Sequence, residues 1–299
     1  MLRVAITGAT GLIGTALRQH LETRGHQVTP ISRREMPGGI RWDPYAGTID
    51  SRQLEAIDAV VHLAGAGIAD RRWSESRKRE LRNSRIIPTR FLSERLATLQ
   101  TRPAVLVSAS AIGIYGDRGD EILSEKSATG DDFLADLGRE WEAAADPARA
   151  AGIRVVHPRF GVVLTTRGGA LPRMLTPFRL GAAGRLGSGR QWMGWITLED
   201  ISRAIEFVIA EATIAGPLIV SSPNPARNTT FTRCLAKALH RPAVIPVPAQ
   251  LLRLLFGEMA VATLLASQRV VPSSLLTHGF EFRDPELEPA LRNLLHEQR

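Results

Sequence analysis

Residues 4–14 read VAITGATGLIG, an apolar run that meets glycines at positions 8, 11 and 14. The preceding LRVAIT (2–7) has the character of a strand. The following LIGTALRQHLETR (12–24) sets Leu12, Ile13, Ala16, Leu17 and Leu21 on one helical face, and Gly25 ends it. A strand that enters a helix through G-x-x-G-x-x-G has the form of a dinucleotide-binding turn. Gly8 permits the tight turn, Gly11 lets backbone N–H groups approach a pyrophosphate, and Gly14 lets the helix lie close on the strand. Three glycines alone describe any glycine-rich turn; the strand and helix on either side carry the assignment.

Downstream, short apolar runs alternate with helical patterns. QVTPIS (27–32), IDAVVHLAG (57–65), AVLVSAS (104–110), GIRVVHPRFGVVL (152–164) and GPLIVSSP (216–223) read as strands. Helices are expected over 74–98, with a kink or restart at Pro88, over 131–150 and over 198–212. This alternation predicts βαβ units, hence an α/β fold with a doubly wound parallel sheet of the Rossmann type. Residues 1–165, completed by about 196–223, form the expected nucleotide-binding domain. A glycine- and arginine-rich stretch, 166–195, with the tail 224–299, forms an expected smaller substrate lobe and C-terminal domain.

At 299 residues, 44% hydrophobic and 23% charged, the chain suits one large globular unit with a dependent lobe. A single cysteine, Cys234, excludes an internal disulfide framework and fits a reducing compartment. No signal peptide or membrane span is read, so a cytoplasmic location is expected. Net charge is +8, but the basic side chains are arginines apart from Lys78, Lys126 and Lys237. Their densest run, RRWSESRKRELRNSRIIPTR (71–90), is interrupted by Glu75 and Glu80 and reads as a solvated or subunit-facing helix rather than a nucleic-acid surface. No metal site is expected: His62 sits inside an apolar run, and no spacing supplies it with partners.

The cofactor follows from the end of the second strand. An NAD site places an acidic residue there for the ribose 2′-hydroxyl. This chain has Ser32, Arg33 and Arg34. A carboxylate would repel a 2′-phosphate, whereas a guanidinium pairs with it, so NADP(H) is expected. The alternative is two more surface arginines in an arginine-rich chain.

Together GATGLIG, ISRR, RWDP, VVHLAG, SRIIPTR, SASAIGIYGDRG, PRFGVVL, WITLEDISRAI and ASQRVVPSSLLTHGFEF resemble the extended short-chain dehydrogenase/reductase superfamily. Within it the chain resembles the NAD-dependent epimerase-like oxidoreductases that end in a small domain of unknown function. The resemblance implies that the backbone from Thr7 through Gly8, Thr10, Gly11, Leu12 and Ile13 to Gly14 holds the pyrophosphate, and that Ser32 and Arg33 hold the adenosine phosphate. It implies that Leu63, Ala64 and Gly65 line the adenine-ribose side. Ser108 and Ser110 would stand beside the nicotinamide, with Pro158, Arg159, Phe160 and Gly161 on its other side. Relatives are often dimers, so a homodimer is an expected assembly.

The superfamily's chemistry uses Tyr-x-x-x-Lys on one helix, with a serine on the substrate and an asparagine behind the lysine. Here the two tyrosines, Tyr45 and Tyr115, are followed four residues on by Ile49 and Gly119, so the pair does not exist. Alignment sets Leu134 and Gly138 at its two positions and Arg85 near the asparagine. Ser110 (or Ser108) remains as the serine. Tyr115 stands as the replacement acid or, equally, as a packing residue, with Asp117, Arg118 and Glu125 on the same rim. Arg185, Arg190, Gln191, Trp192 and Trp195 are candidate substrate contacts, whereas Thr197 and Asp200 suit helix capping. Two readings follow. One is an NADP(H)-dependent oxidoreductase or epimerase-like enzyme for a small polar, nucleotide-sugar-like substrate. The other is a catalytically weak NADP(H)-binding protein that reports redox state.

Overall fold

The computed structural model describes residues 1–296. Its strands are β1 (Arg3–Thr7), β2 (Gln27–Ser32), β3 (Ile40–Asp43), β4 (Thr48–Ile49), β5 (Ala59–His62), β6 (Val105–Ser108), β7 (Ser110–Ala111), β8 (Ile122–Leu123), β9 (Arg154–Phe160), β10 (Val162–Leu164), β11 (Trp192–Met193), β12 (Trp195–Thr197), β13 (Gly216–Val220), β14 (Ala226–Arg227) and β15 (Arg269–Val270). The α-helices are α1 (Leu12–Thr23), α2 (Glu75–Ala97), α3 (Phe133–Ala143), α4 (Asp146–Ala150), α5 (Ala170–Arg179), α6 (Leu198–Ala210), α7 (Asn228–Leu239), α8 (Ala249–Phe256), α9 (Glu258–Ala260), α10 (Ser273–Thr277) and α11 (Leu287–His296).

The main sheet runs β13-β9-β6-β5-β1-β2-β3-β4, with β7 also paired to β9. Every pair is parallel except β3 with β4. The expected doubly wound sheet is therefore what forms. From β1 the chain moves outward through β2 and β3; from β5 it moves the other way, so the strand order reverses between β1 and β5. In such sheets that reversal opens the ligand crevice at the carboxyl ends of the strands.

Period-two alternation sorts the strand side chains onto two faces. Val4, Ile6, Val61, Val107 and Val156 pack with Leu17 and Leu21 of α1 and with Ile201, Ile205 and Val208 of α6. Ala5, Val60, Leu106 and Val155 face the other way, against Leu92 and Leu96 of α2 and Ala148 of α4. A separate lobe core joins Leu171 and Leu175 of α5, Phe231 and Leu235 of α7, and Leu287 and Leu291 of α11. The tail does not stay in that lobe, because Leu275 and Phe280 join the main core.

Three local expectations change. Helix α2 runs unbroken through Pro88; burial of Pro88, Thr89, Phe91 and Leu92 offsets the hydrogen bond that a proline removes. Residues 131–150 form two helices, since α3 stops at Ala143 and Pro147 begins a new turn. The basic stretch is not a solvated face throughout: Arg77 and Arg85 are buried. Arg77 pairs with Glu80 at 2.7 Å, Lys78 with Glu258 at 2.5 Å, and Arg82 with Glu140. Among the described residues no helix is long and apolar enough to cross a membrane.

Thr197 caps α6 as expected, its hydroxyl accepting from the Asp200 amide at 3.3 Å. Asp200 does something else. Fully buried, it accepts the amides of Arg283 at 2.8 Å and Asp284 at 2.9 Å, fastening the tail to the nucleotide-binding half.

His62 is a satisfied core histidine, as read from its apolar setting. Thr89 gives its hydroxyl proton to the Arg85 carbonyl (2.7 Å), so its oxygen accepts from Trp141 Nε1 (3.0 Å) and from His62 Nε2 (2.9 Å). That fixes the His62 proton on Nε2, and Nδ1 accepts from the Thr7 hydroxyl at 2.7 Å. Burial pushes both His62 and His157 down to about 4.

Two outcomes follow from this packing. A Cβ on Gly14 would lie 2.8 Å from the Gly8 carbonyl carbon, so Gly14→Ala is expected to destabilise the protein by about 1–3 kcal/mol, read as a lower thermal midpoint; an unchanged midpoint would mean the helix sits farther from the turn. The two buried histidines bind protons more readily unfolded, near pH 6.5, than folded, near 4. Stability in urea should therefore fall as pH drops from about 6.5 towards 4 and be insensitive to these groups above about 7.5. A midpoint that rises over the acidic interval would contradict neutral, buried rings.

Candidate dinucleotide site

The glycine turn sits at the strand-order reversal. Gly8 has φ +66° and lies so close to the strand-β5 loop that a Cβ there would stand 2.9 Å from the Leu63 carbonyl. The Gly11 amide closes the turn on the Gly8 carbonyl at 2.9 Å. Gly11 is the N-cap of α1 and supplies no side-chain cap, so the first-turn amides of Leu12, Ile13 and Gly14 have no intrahelical acceptor. Exposed Thr10 lies at the tip of the turn. This is an anion cradle of the kind a diphosphate fills.

Thr7 contributes to the cradle from behind. Its hydroxyl oxygen accepts the amides of Leu63 (3.1 Å) and Ala64 (3.3 Å) while donating to His62. The turn after β1 is thereby locked to the loop after β5, with Leu63 and Ala64 half-buried and Gly65 exposed. At the end of β2 the Ser32 hydroxyl accepts from the Arg34 amide at 3.2 Å, and Arg33 and Arg34 are exposed. Register pairing of Thr7 with Ile31 sets Ser32 and Arg33 beside the glycine turn.

Arg85 reaches this edge from α2, but its guanidinium is committed. It donates to the Ala66 carbonyl at 2.8 Å and to the Leu81 carbonyl at 3.3 Å, and lies 5.0 Å over the Trp141 ring. Burial lowers it to about 10, which still leaves it charged at neutral pH. Its role is to shape the loop at Gly65.

Behind the ends of β7 and β9 lies a buried ionic cluster. Arg159 grips Glu142 with a two-pronged pair, Nε to Oε1 and Nη2 to Oε2, each 2.8 Å. Its third donor, Nη1, bonds the Tyr115 hydroxyl at 2.9 Å. Tyr115 passes its own proton to the Ser124 carbonyl at 3.0 Å, and Ser110 donates to Glu142 Oε1 at 2.7 Å. Burial alone would raise the Glu142 carboxyl, but the hydrogen bonds and charge of Arg159 outweigh it and hold the group below its usual range. The same carboxylate outweighs burial at Arg159 and raises it. Burial pushes the Tyr115 phenol up.

This cluster fits the packing reading of Tyr115 better than the acid reading, and it engages Ser110 as well. Tyr115 is fully buried, its proton is taken by a carbonyl, and its phenol is a weaker acid than usual. Ser110 points at Glu142, and the alternating strand exposes Ala111 instead. Ser108 is also fully buried, its hydroxyl without a partner. The Arg159 guanidinium is engaged by Glu142 and Tyr115. Pro158, buried Phe160 and Gly161 close the end of β9, where the Gly161 amide donates to the Val220 carbonyl at 3.0 Å.

The helix that aligns with the missing pair shows why no substitute arises there. Leu134, Gly138 and Glu142 fall at i, i+4 and i+8 on α3, facing the turn 112–115. A Cβ on Gly138 would stand 2.9 Å from the Ile114 side chain, leaving no path for a lysine. Leu134 packs over Gly113, 3.2 Å from where its Cβ would be. Glu142 escaped the sequence reading. The available signal was Arg159 itself, because an arginine inside an apolar strand requires an acidic partner.

The other rim candidates are structural. Asp117 accepts the Ser267 amide at 3.0 Å, and Glu125 accepts those of Ile219 and Ser274, each at 3.2 Å. Arg118 pairs with Glu121 at 2.7 Å. Trp195 is buried and donates to the Asn224 carbonyl at 2.9 Å, so it does not stack on a ligand. The guanidinium carbons of Arg227 and Arg269 lie over the Trp192 ring, 4.6 and 4.5 Å from its centroid. Buried Gln191 donates to two carbonyls, whereas Arg185 and Arg190 are exposed.

Comparison with known proteins agrees with this architecture. The chain is 43% identical over 290 residues to an epimerase family protein of Mycobacterium bovis, covering 96% of each. It is similar to the crystal structure of the human epimerase family protein SDR39U1 (isoform 2) with NADPH, at TM-score 0.90 and 36% identity, covering 99% of both chains. A nucleoside-diphosphate sugar epimerase from Corynebacterium glutamicum aligns at TM-score 0.82 and 39% identity over 98% of this chain and 58% of that one. Residues 247–294 match a domain of unknown function. With residues 4–219 matching its family description, the chain belongs to the NAD dependent epimerase/dehydratase family.

Proposed function

We propose that the chain is an NADP(H)-dependent oxidoreductase whose own side chains do not form the serine–tyrosine–lysine proton relay. The observation that carries the cofactor choice is the exposed Arg33 beside the glycine turn, where no carboxylate would repel a 2′-phosphate. The residues fit the group. Gly8 and Gly14 leave the room that a Cβ would fill, the first turn of α1 presents its amides, and Ser32 and Arg33 stand at the adenosine end. Similarity to a human relative solved with NADPH supports the same choice. When bound, the reduced nicotinamide supplies a hydride.

What the chain itself does is orient and enclose. Thr7 and His62 hold the cradle against β5, and Arg85 shapes the loop at Gly65. A nucleotide-sugar substrate draws support from the name of the C. glutamicum relative. The inward-turned Ser110 and Tyr115 weigh against chemistry that needs a protein-borne acid. They also favour a second reading, a cofactor-binding protein with little turnover that reports redox state to a partner.

Arg33→Ala is expected to weaken NADPH about tenfold or more in a fluorescence titration and to leave NADH nearly unchanged. Equal losses for the two coenzymes would remove the 2′-phosphate role. Ser110→Ala and Tyr115→Phe should leave NADPH affinity intact while each lowers stability by about 1 kcal/mol in urea unfolding. If either variant abolishes turnover of a substrate while the fold is kept, the relay has been misassigned.

A further inference from the structure

The smaller lobe carries a cavity of about 410 Å³ between α7 and the segment 241–246 that follows it. Thr229, Thr232, Arg233 and Ala236 line it at i, i+3, i+4 and i+7, one face of α7. Pro242, Val244 and Pro246 supply an apolar wall, and Arg185 enters from the loop before β11. Backbone contacts fix this arrangement. The Ile245 amide donates to the Ala183 carbonyl at 3.1 Å and the Val247 amide to the Arg185 carbonyl at 2.9 Å, so the two segments run side by side. The Thr229 hydroxyl donates to the Gly189 carbonyl at 2.8 Å, tying the start of α7 to the same loop.

The charge around the cavity has one sign. Arg185, Arg233 and Arg241 are exposed, and no carboxylate lines the cavity among the described residues. Arg185 makes one side-chain hydrogen bond, to the Ser188 carbonyl at 3.3 Å. Arg233 and Arg241 make no side-chain hydrogen bond or ion pair among the described residues. Glu288 of α11, which packs on α7, is taken by Lys237 at 2.8 Å and by Arg292. The first turn of α7 has no acidic residue either, so the helix dipole adds to the same field.

Thr232 supplies an independent observation. It lines the cavity, is only 6% exposed, and its hydroxyl has no hydrogen-bond partner among the described residues. That hydroxyl is left to whatever fills the cavity. A hydroxyl donor beside three guanidiniums suits an oxyanion with several acceptor oxygens.

We propose that this cavity binds a phosphate monoester whose ester group is compact and apolar. A monoester carries about −1.5 to −2 charges at neutral pH and three acceptor oxygens, which matches three guanidiniums and one hydroxyl. A carboxylate brings one charge and two oxygens, and would leave the field largely uncompensated. Pro242, Val244 and Pro246 then receive the ester group. The lining shares no residue with the glycine turn or with Ser32 and Arg33, so this site is separate from the dinucleotide cradle and does not rest on the cofactor reading.

The same phosphate chemistry is found on small soluble esters and on phosphatidic acid, so two probes are used. Phenyl phosphate should bind saturably in calorimetry, and more tightly than inorganic phosphate. Arg233→Gln and Arg241→Gln should each weaken it about fivefold or more, whereas Arg79→Gln, the same charge loss on the exposed face of α2, should change it less than about twofold. Thr232→Val, of equal size, should weaken it about threefold or more without lowering the thermal midpoint, because no protein group uses that hydroxyl. Co-sedimentation with phosphatidylcholine vesicles, with and without phosphatidic acid, is the second arm. Binding confined to phosphatidic acid vesicles, with the same dependence on Arg233, Arg241 and Thr232, assigns the lipid-borne ester. No saturable binding in either arm, or binding indifferent to these three substitutions, overturns the proposal. Equal weakening by Arg79→Gln overturns it too, since that marks general attraction to a basic protein. Failure of the cofactor reading is seen separately, in the NADPH titration.

Discussion

The contact on which this architecture depends is backbone against backbone: the Gly8 turn pressed on the Leu63 carbonyl, with α1 pressed on Gly8 through Gly14. No side chain larger than hydrogen fits at either place. Once that contact forms, β1 and β5 lie side by side, the strand order reverses between them, and the first turn of α1 points its amides into the crevice. Thr7 and His62 convert the contact into a lock, since one hydroxyl serves two amides of the β5 loop and a buried imidazole. Thr89 and Trp141 extend the lock to α2 and α3.

The second constraint is electrostatic. Arg159 carries a permanent charge into the interior, where leaving it unpaired would be far costlier than pairing it. Glu142 meets it with both oxygens, and Tyr115 and Ser110 satisfy what remains. The arrangement is self-contained, and for that reason it is unsuited to exchanging protons with a ligand. The polar residues that look catalytic in a linear reading belong to this framework. Beside it, Leu134 packs over Gly113 and Gly138 lies against Ile114.

The tail also completes the same edge. Asp200 holds it at Arg283 and Asp284, Glu125 holds it at Ser274, Asp117 holds it at Ser267, and Lys78 pairs with Glu258. Met259 and Ala262 then pack into a small core cluster with Trp73, Leu81 and Leu137. Carboxylates that resemble rim catalysts in sequence are thus spent on pinning backbone amides.

Much was legible in the residues alone, because the signals are local. VAITGATGLIG specifies strand, turn and helix within eleven residues, ISRR removes the acid that an NAD site would offer, and short near-continuous apolar runs announce buried parallel strands. The missing Tyr-x-x-x-Lys pair is likewise a fact of sequence. Only the folded chain decided where Ser110, Tyr115 and Arg159 point, because Glu142 lies 32 residues from Ser110 and 17 from Arg159, and Arg159 lies 44 from Tyr115. Strand alternation turned Ala111 outward and Ser110 inward, and long-range packing brought residues 68, 133 and 259 together. Local pattern fixes backbone geometry, whereas the direction and occupancy of a polar side chain depend on which distant charge it must neutralise.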